Sequence, residues 1–378
     1  LIILKFPPKI AGFFASPQLF DSFYALMKQP VILDYIIVGQ GLAGSAVAIQ
    51  LLKKGKKILV IDEPHRNHSS RPAAGLFNPI TGKKPVKTWM ADTLFPYLQQ
   101  YYQEVESLTK EKFFFPKGMY RPFATIAEQN EWMGKSSEAT FTPYIEKISS
   151  GSLFNEEVKD PFGGLMLRQC GYINTAIYLD AIRKYVSEKG TFLGDHFDET
   201  ALRPDAEGVS YKDFRASAVI FCQGVHALSE SRFKNLPVRP LKGEIINIKT
   251  DWKKDVILNR GVYMVPGTDS GVFRVGSTYA SNDLSEGGTE EGQLELEQKL
   301  KALVRIPYQV LSQDWGIRPT TPDRRPLLGN HPESDRLIIF NGLGTKGVSL
   351  APYFSEVLIR WLENPEPLNK DVTLTRFK

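Results

Sequence analysis

Cysteine is scarce in this chain: two residues, Cys170 and Cys222, in 378. Neither stands in a CxxC pair, and two thiols are no disulfide framework. The compartment this implies is a reducing one, the cytoplasm. Histidine is scarce as well. His65, His68, His196, His226 and His331 fall into no metal-ligand spacing, so no metal site is expected. No apolar run reaches the ~20 residues that a membrane-spanning helix needs, and no membrane partner is expected. Long runs of one charge are missing too. Lys and Arg number 47 against 42 Asp and Glu, a formal net charge of +5, but the basic residues are scattered. That mild excess fits an anionic cofactor or substrate and leaves RNA open. Internal repeats and low-complexity segments are absent.

What is present is an ordinary globular composition, 42% hydrophobic and 24% charged. The length is too great for one core, so two domains are expected. Residues 1–26 are apolar and Phe-rich, broken by Pro7, Pro8 and Pro17, with Lys5 and Lys9 spread through them. They make a poor signal peptide and are read as a non-native or unstructured extension ahead of a start at Met27.

The informative region begins at residue 34. Residues 34–38 read as a buried strand, 42–54 as a helix that Gly55 ends, and 57–61 as a second buried strand. The first turn between them is Gly39-Gln40-Gly41-Leu42-Ala43-Gly44. A GxGxxG motif in this context is a dinucleotide site. Gly39 permits the tight turn, Gly41 lets a pyrophosphate approach the backbone, and Gly44 lets helix and strand pack closely. The helix N-terminus, from Leu42 and Ala43 onward, offers free N–H groups and a positive dipole end to phosphate. Asp62 ends the second strand and Glu63 follows, so a carboxylate is available to the ribose hydroxyls. The pattern serves FAD and NAD alike.

Further buried strands are expected at 217–222 and 336–340. Helices are expected at 92–110, 173–189, 290–304 and about 348–363. Strand runs separated by turns fill 238–280 and much of 111–165. The expected architecture is α/β: a Rossmann-like nucleotide domain of residues 34–85, 166–235 and 320–370, interrupted by a mainly antiparallel sheet with helices at 86–165 and 236–319.

Several segments carry a resemblance. They are Ser70-Arg71-Pro72-Ala73-Ala74-Gly75, Phe221-Cys222-Gln223-Gly224, Pro240-Leu241-Lys242-Gly243-Glu244, Tyr263-Met264-Val265-Pro266 and Val275-Gly276-Ser277-Thr278. Trp315-Gly316-Ile317-Arg318-Pro319-Thr320-Thr321-Pro322-Asp323 and Asn341-Gly342-Leu343-Gly344-Thr345-Lys346-Gly347 complete the set. In this order they resemble the D-amino acid oxidase and glycine oxidase (DAO) family of FAD-dependent oxidoreductases. The resemblance implies FAD between the two domains. It adds Ser70, Arg71, Ala74, Gly75, Gly224, Gly342, Gly344, Thr345, Lys346 and Gly347 to the cofactor contacts. It implies a substrate carboxylate gripped by Arg318, a pocket lined by Tyr263, and Lys346 against the flavin. Where sarcosine oxidases carry a flavin-linking cysteine, this chain has Gly316, which implies a non-covalent cofactor.

The implied reaction is oxidation of a C–N bond in a small amine or amino acid that carries a carboxylate. The C-terminal GLGTKGVSLAP stretch is also similar to the flavin half of the bifunctional enzyme that oxidises a carboxymethylamino group on the tRNA wobble uridine. A flavin-binding module without turnover is the reading from outside enzymology. Lys83, Lys84 and Lys87 form a local basic cluster read as a solvated loop.

Overall fold

The computed structural model describes residues 29–63, 69–82, 86–229, 232–233, 235–364 and 366–377. The expected extension at 1–26, and His65, His68, Lys83 and Lys84, lie outside the described residues.

Two large sheets organise the molecule. The first has eight strands, with Thr191–Leu193, Ile58–Ile61, Val31–Val38 and Phe214–Phe221 adjacent and parallel in that order. Ser334–Asn341 joins Phe214–Phe221 in parallel, and Leu327–His331 follows antiparallel. Ile58–Ile61, the last residues of Val31–Val38 and Phe214–Phe221, and residues 337–340 of Ser334–Asn341 are apolar runs because both faces are covered there. Ile37, Ile58 and Val60 pack into one core, while Ile36, Val38, Leu59 and Ile61 pack into another on the opposite face.

The helix Leu42–Lys53 is buried from Leu42 to Leu51. It lies against the helices Thr175–Lys189 and Gly347–Glu363, and its small residues Ala43, Gly44, Ala46 and Ala48 permit that close fit. The expected elements of this part recur with ends shifted by a few residues.

The second sheet has nine strands and is mostly antiparallel. Arg239–Thr250 pairs with Tyr308–Thr320 on one side and Val272–Gly276 on the other, followed by Val262–Pro266 and Val256–Arg260. Two elements here escaped the sequence reading. Ile126–Lys135 is a helix inside the stretch read as strands and turns. Its signal was a capping box: the Thr125 hydroxyl accepts from Glu128 N–H at 3.1 Å, and Glu128 accepts from Ala124 N–H at 2.8 Å. Tyr308–Thr320 is the longest strand, but as an edge strand it mixes exposed and half-buried residues and shows no apolar run. Among the described residues no helix is long and apolar enough to cross a membrane, and no cluster suited to a metal ion is present.

Candidate active site

The glycine turn is built as the motif requires. Gly39 has φ +94°, and a Cβ there would stand 2.7 Å from the Cys222 carbonyl oxygen. At Gly44 a Cβ would stand 1.8 Å from the Gly39 oxygen, so any side chain would push helix and turn apart. Leu42 N–H, at the helix start, donates to the Ser70 hydroxyl at 3.1 Å. This ties the Ser70–Gly75 segment to the phosphate-binding end. Gly75 has φ +71°, and a Cβ there would meet the Ile173 oxygen at 1.9 Å.

Asp62 is buried, and its Oδ1 accepts from Gln40 N–H at 2.8 Å. Arg183 Nη2 approaches the other oxygen at 3.5 Å and donates through Nε to Gln40 Oε1 at 3.0 Å. Asp62 therefore braces the turn itself. Glu63 beside it is the more accessible carboxylate, and His196 Nδ1 lies 3.2 Å away. Both carboxylates line a cleft of about 430 Å³, together with Gly39, Gly41, Ser70 and Gly224. A volume of that order suits a cofactor site. Arg71 does not line it, because its guanidinium is committed to Asp180.

The second helix N-terminus arrives at the same place. A Cβ on Gly347 would be 2.8 Å from Leu42 Cδ1, so the helices Leu42–Lys53 and Gly347–Glu363 start side by side. Neither N-cap residue, Gly41 or Lys346, caps its helix with a side chain, and a helix start of this kind can offer an anion N–H groups beyond the Leu42 N–H that Ser70 takes. The turn before the last helix uses two left-handed glycines, Gly342 (φ +72°) and Gly344 (φ +53°), packed on Thr321 and Thr320. That contact joins the turn carrying Thr345 and Lys346 to the strand carrying Arg318. Thr345 is exposed, while Lys346 is half-buried. Burial, and then the charge of Arg324, hold the Lys346 ammonium below the usual lysine range.

On the antiparallel sheet, three glycines let neighbouring side chains and backbone lie close against the strands. Gly243 pairs with Gly316, and Ile245 pairs with Gly276, which also faces Tyr263. Arg318 folds its guanidinium over Gly243, where a Cβ would be 2.0 Å from Nη1. The Tyr263 hydroxyl leans over Gly276, where a Cβ would be 2.6 Å away. Gly316 admits the backbone of Ser69, 3.0 Å from where its Cβ would stand. Both cysteines of the chain are buried, and burial pushes their thiols up.

Burial raises the Tyr263 phenol to about 12, with Arg318 and Arg274 pulling back. Arg318 makes no ion pair among the described residues. Its recorded bond is a 3.5 Å contact to the Thr278 carbonyl, and its Cζ sits 5.3 Å from the centre of the Tyr279 ring. Sequence reading missed Gly243 and Gly276 as site residues, and also Tyr279 and Arg274. Arg274 donates to the Ala73 carbonyl at 2.9 Å. Both glycines lay in quoted motifs, but nothing local marked their lack of a Cβ as the floor of a site.

Paired helix starts, a glycine cradle and an arginine-bearing glycine floor are the arrangement that a dinucleotide and a small anion would fill. The comparison with known families agrees, matching the FAD dependent oxidoreductase family DAO over residues 34–361. The chain belongs to the DAO family. It is an FAD-dependent oxidoreductase, and the residues of the cleft fit that cofactor. Glycine oxidase of Bacillus subtilis (strain 168) is 24% identical over 367 residues, covering 89% of this chain and 95% of that protein. The bifunctional protein ThiO/ThiG of Trichormus variabilis is 22% identical over 370 residues, covering 91% of this chain and 55% of its own length. The tRNA 5-methylaminomethyl-2-thiouridine biosynthesis bifunctional protein MnmC of Marinobacter nauticus is 24% identical over 366 residues, covering 88% and 56%. The chain thus spans about half the length of these bifunctional relatives. In fold it is similar to glycine oxidase from Geobacillus kaustophilus: TM-score 0.75, 20% identity, 89% of this chain and 96% of that one.

Proposed function

We propose that this DAO-family protein oxidises a C–N bond of an amine or amino acid bearing a carboxylate, and that Arg318 grips the carboxylate. One observation carries the reading: a half-buried guanidinium, without an acidic partner among the described residues, lies over a bare Cα near the half-buried Tyr263. A partly buried charge is costly until an anion completes it. A carboxylate completes a guanidinium fork through two parallel hydrogen bonds, which fix direction as well as charge.

Bound FAD would supply the hydride acceptor for oxidation at the carbon beside nitrogen, and water would hydrolyse the resulting imine. The chain's own residues do the rest. Arg318 orients the substrate so that its C–H faces the cofactor. Tyr263 stays protonated across the physiological range and offers its hydroxyl as a donor. Lys346 and the start of the last helix supply positive charge on the cofactor side. The glycine cradle, Ser70 and Glu63 hold the dinucleotide without a covalent bond. In this scheme residues 34–85, 166–235 and 320–370 serve the cofactor, and 86–165 and 236–319 serve the substrate.

The test is anaerobic addition of sarcosine, glycine, proline and D-amino acids to the yellow protein. Bleaching by one of them supports the reading and names the substrate class. Bleaching by none removes the small-substrate reading.

A second reading is a glycine-like group carried on tRNA. The similarity to MnmC over 88% of the chain supports it. So does the open mouth of the site, where Tyr279 is 64% and Leu284 58% exposed. It requires tRNA binding that weakens steeply with salt.

A further inference from the structure

The segment from Ser281 to Gly288 contains no buried residue, so no apolar side chain anchors it. It nevertheless borders the site on two sides. Tyr279, just before it, lies beneath Arg318, and Leu284 and Glu286 line the cofactor cleft. What holds it is ionic. Lys242, 0% exposed, projects from the strand Arg239–Thr250 and donates to the Ser285 hydroxyl at 2.8 Å. Its Nζ is 3.6 Å from Asp283 Oδ2 and 3.8 Å from Glu244 Oε1, with the Trp315 ring centre at 5.9 Å.

Glu244 is buried in turn and closes the far end. It accepts from Thr289 N–H at 2.8 Å and from Gln313 Nε2 at 2.6 Å. The near end is fixed by Glu244 N–H donating to the Thr278 hydroxyl at 2.9 Å, and by pairing of Leu241–Lys242 with Ala280–Ser281. A buried ammonium survives only when its partners are in place. The two ends have other attachments, but the middle of the segment depends on Lys242.

We propose that Lys242 is a positioning residue. Through Ser285 and Asp283 it latches residues 281–288 to the sheet. The latch fixes Leu284 and Glu286 along the cofactor cleft and Tyr279 under Arg318. The cofactor half of this inference is independent of the substrate, and the Arg318 half rests on the function proposed above.

The test compares Lys242→Met and Ser285→Ala with the unaltered holoprotein. Ser285→Thr keeps the hydroxyl and serves as the rescue. Three quantities are read: cleavage after Glu286 by a Glu-specific protease, FAD affinity of the apoprotein, and the KM and kcat of the best carboxylate-bearing amine. Loss of a hydrogen bond to a buried charge is worth roughly a factor of ten or more. Cleavage should accelerate and FAD Kd rise by about that factor, and KM should rise while kcat stays within about twofold. Ser285→Thr should return all three toward the original values. If Lys242→Met does not fold, Ser285→Ala decides. A folded Ser285→Ala protein with unchanged cleavage and unchanged FAD Kd overturns the latch. If cleavage and FAD Kd respond but KM does not, the latch stands and the role given to Arg318 fails.

Discussion

Replacing Gly243 by alanine tests the proposed substrate grip without touching the gripping residue. The added Cβ would stand 2.0 Å from Nη1, 2.1 Å from Nη2 and 2.2 Å from Cζ of Arg318. Carbon contacts settle at about 3.5–4.0 Å, so the guanidinium has to lift by roughly 1.5 Å. Gly243 has no left-handed φ, and the atoms it would meet are the end of a flexible side chain. The strand should therefore keep its register, and the protein its yellow colour. A reactant misplaced by about 1 Å loses on the order of 10²-fold in rate, or about 2.7 kcal/mol of transition-state stabilisation. The assay is the rate of anaerobic flavin bleaching across substrate concentrations, run in parallel with thermal unfolding. The expected result is a kcat/KM roughly 100-fold lower for a carboxylate-bearing amine, with FAD content and Tm unchanged. An unchanged kcat/KM would refute the reasoning, because Arg318 would then have moved without consequence for the substrate.

At the nucleotide end, Gly44→Ala puts a methyl group 1.8 Å from a backbone oxygen that cannot swing away; FAD affinity should fall by at least about 100-fold, measured by titrating apoprotein. Lys346 is held below the ordinary lysine value by burial and by Arg324. Flavin reduction should accordingly decline with rising pH before pH 10.5, and Lys346→Met should flatten that decline. The stability linkage has the opposite sign. Between the lowered folded pKa and the unfolded value, the unfolded chain binds more protons, so Lys346 makes stability rise with pH across that window. Thr125→Ala removes the cap of the helix Ile126–Lys135; it should cost about 1 kcal/mol and lower Tm by about 2 °C without altering FAD content.

The nucleotide half was legible in the chain because its determinants are local. A two-sided buried strand is an uninterrupted apolar run, as in residues 36–38 and 58–61. A glycine turn that opens a helix is contiguous, and so the helix at Leu42 was placed at its true start. The capping box at Thr125 and Glu128 is equally local, but it stands in a stretch whose short aromatic runs and Gly and Pro turns read as strands. The resemblance carried Arg318, Tyr263 and Lys346, which stand on separate strands and turns 55 and 28 residues apart along the chain. No periodicity links them.

Sequence by itself thus determined the cofactor class, the parallel sheet and the identities of the charged candidates. Only the tertiary structure decided their surroundings. It turned Arg71 to Asp180 and Asp62 to the glycine turn, and it left Arg318 without an acid among the described residues. It paired Gly243 with Gly316 and set Gly276 opposite Ile245, so that Arg318 and Tyr263 can lie across bare Cα atoms, and it buried Lys242 under a segment that has no apolar anchor of its own. The physical reason is the same in each case. A charge's partner and the emptiness above a glycine are properties of neighbours brought together by strand pairing, and that pairing spans tens of residues that no local pattern records.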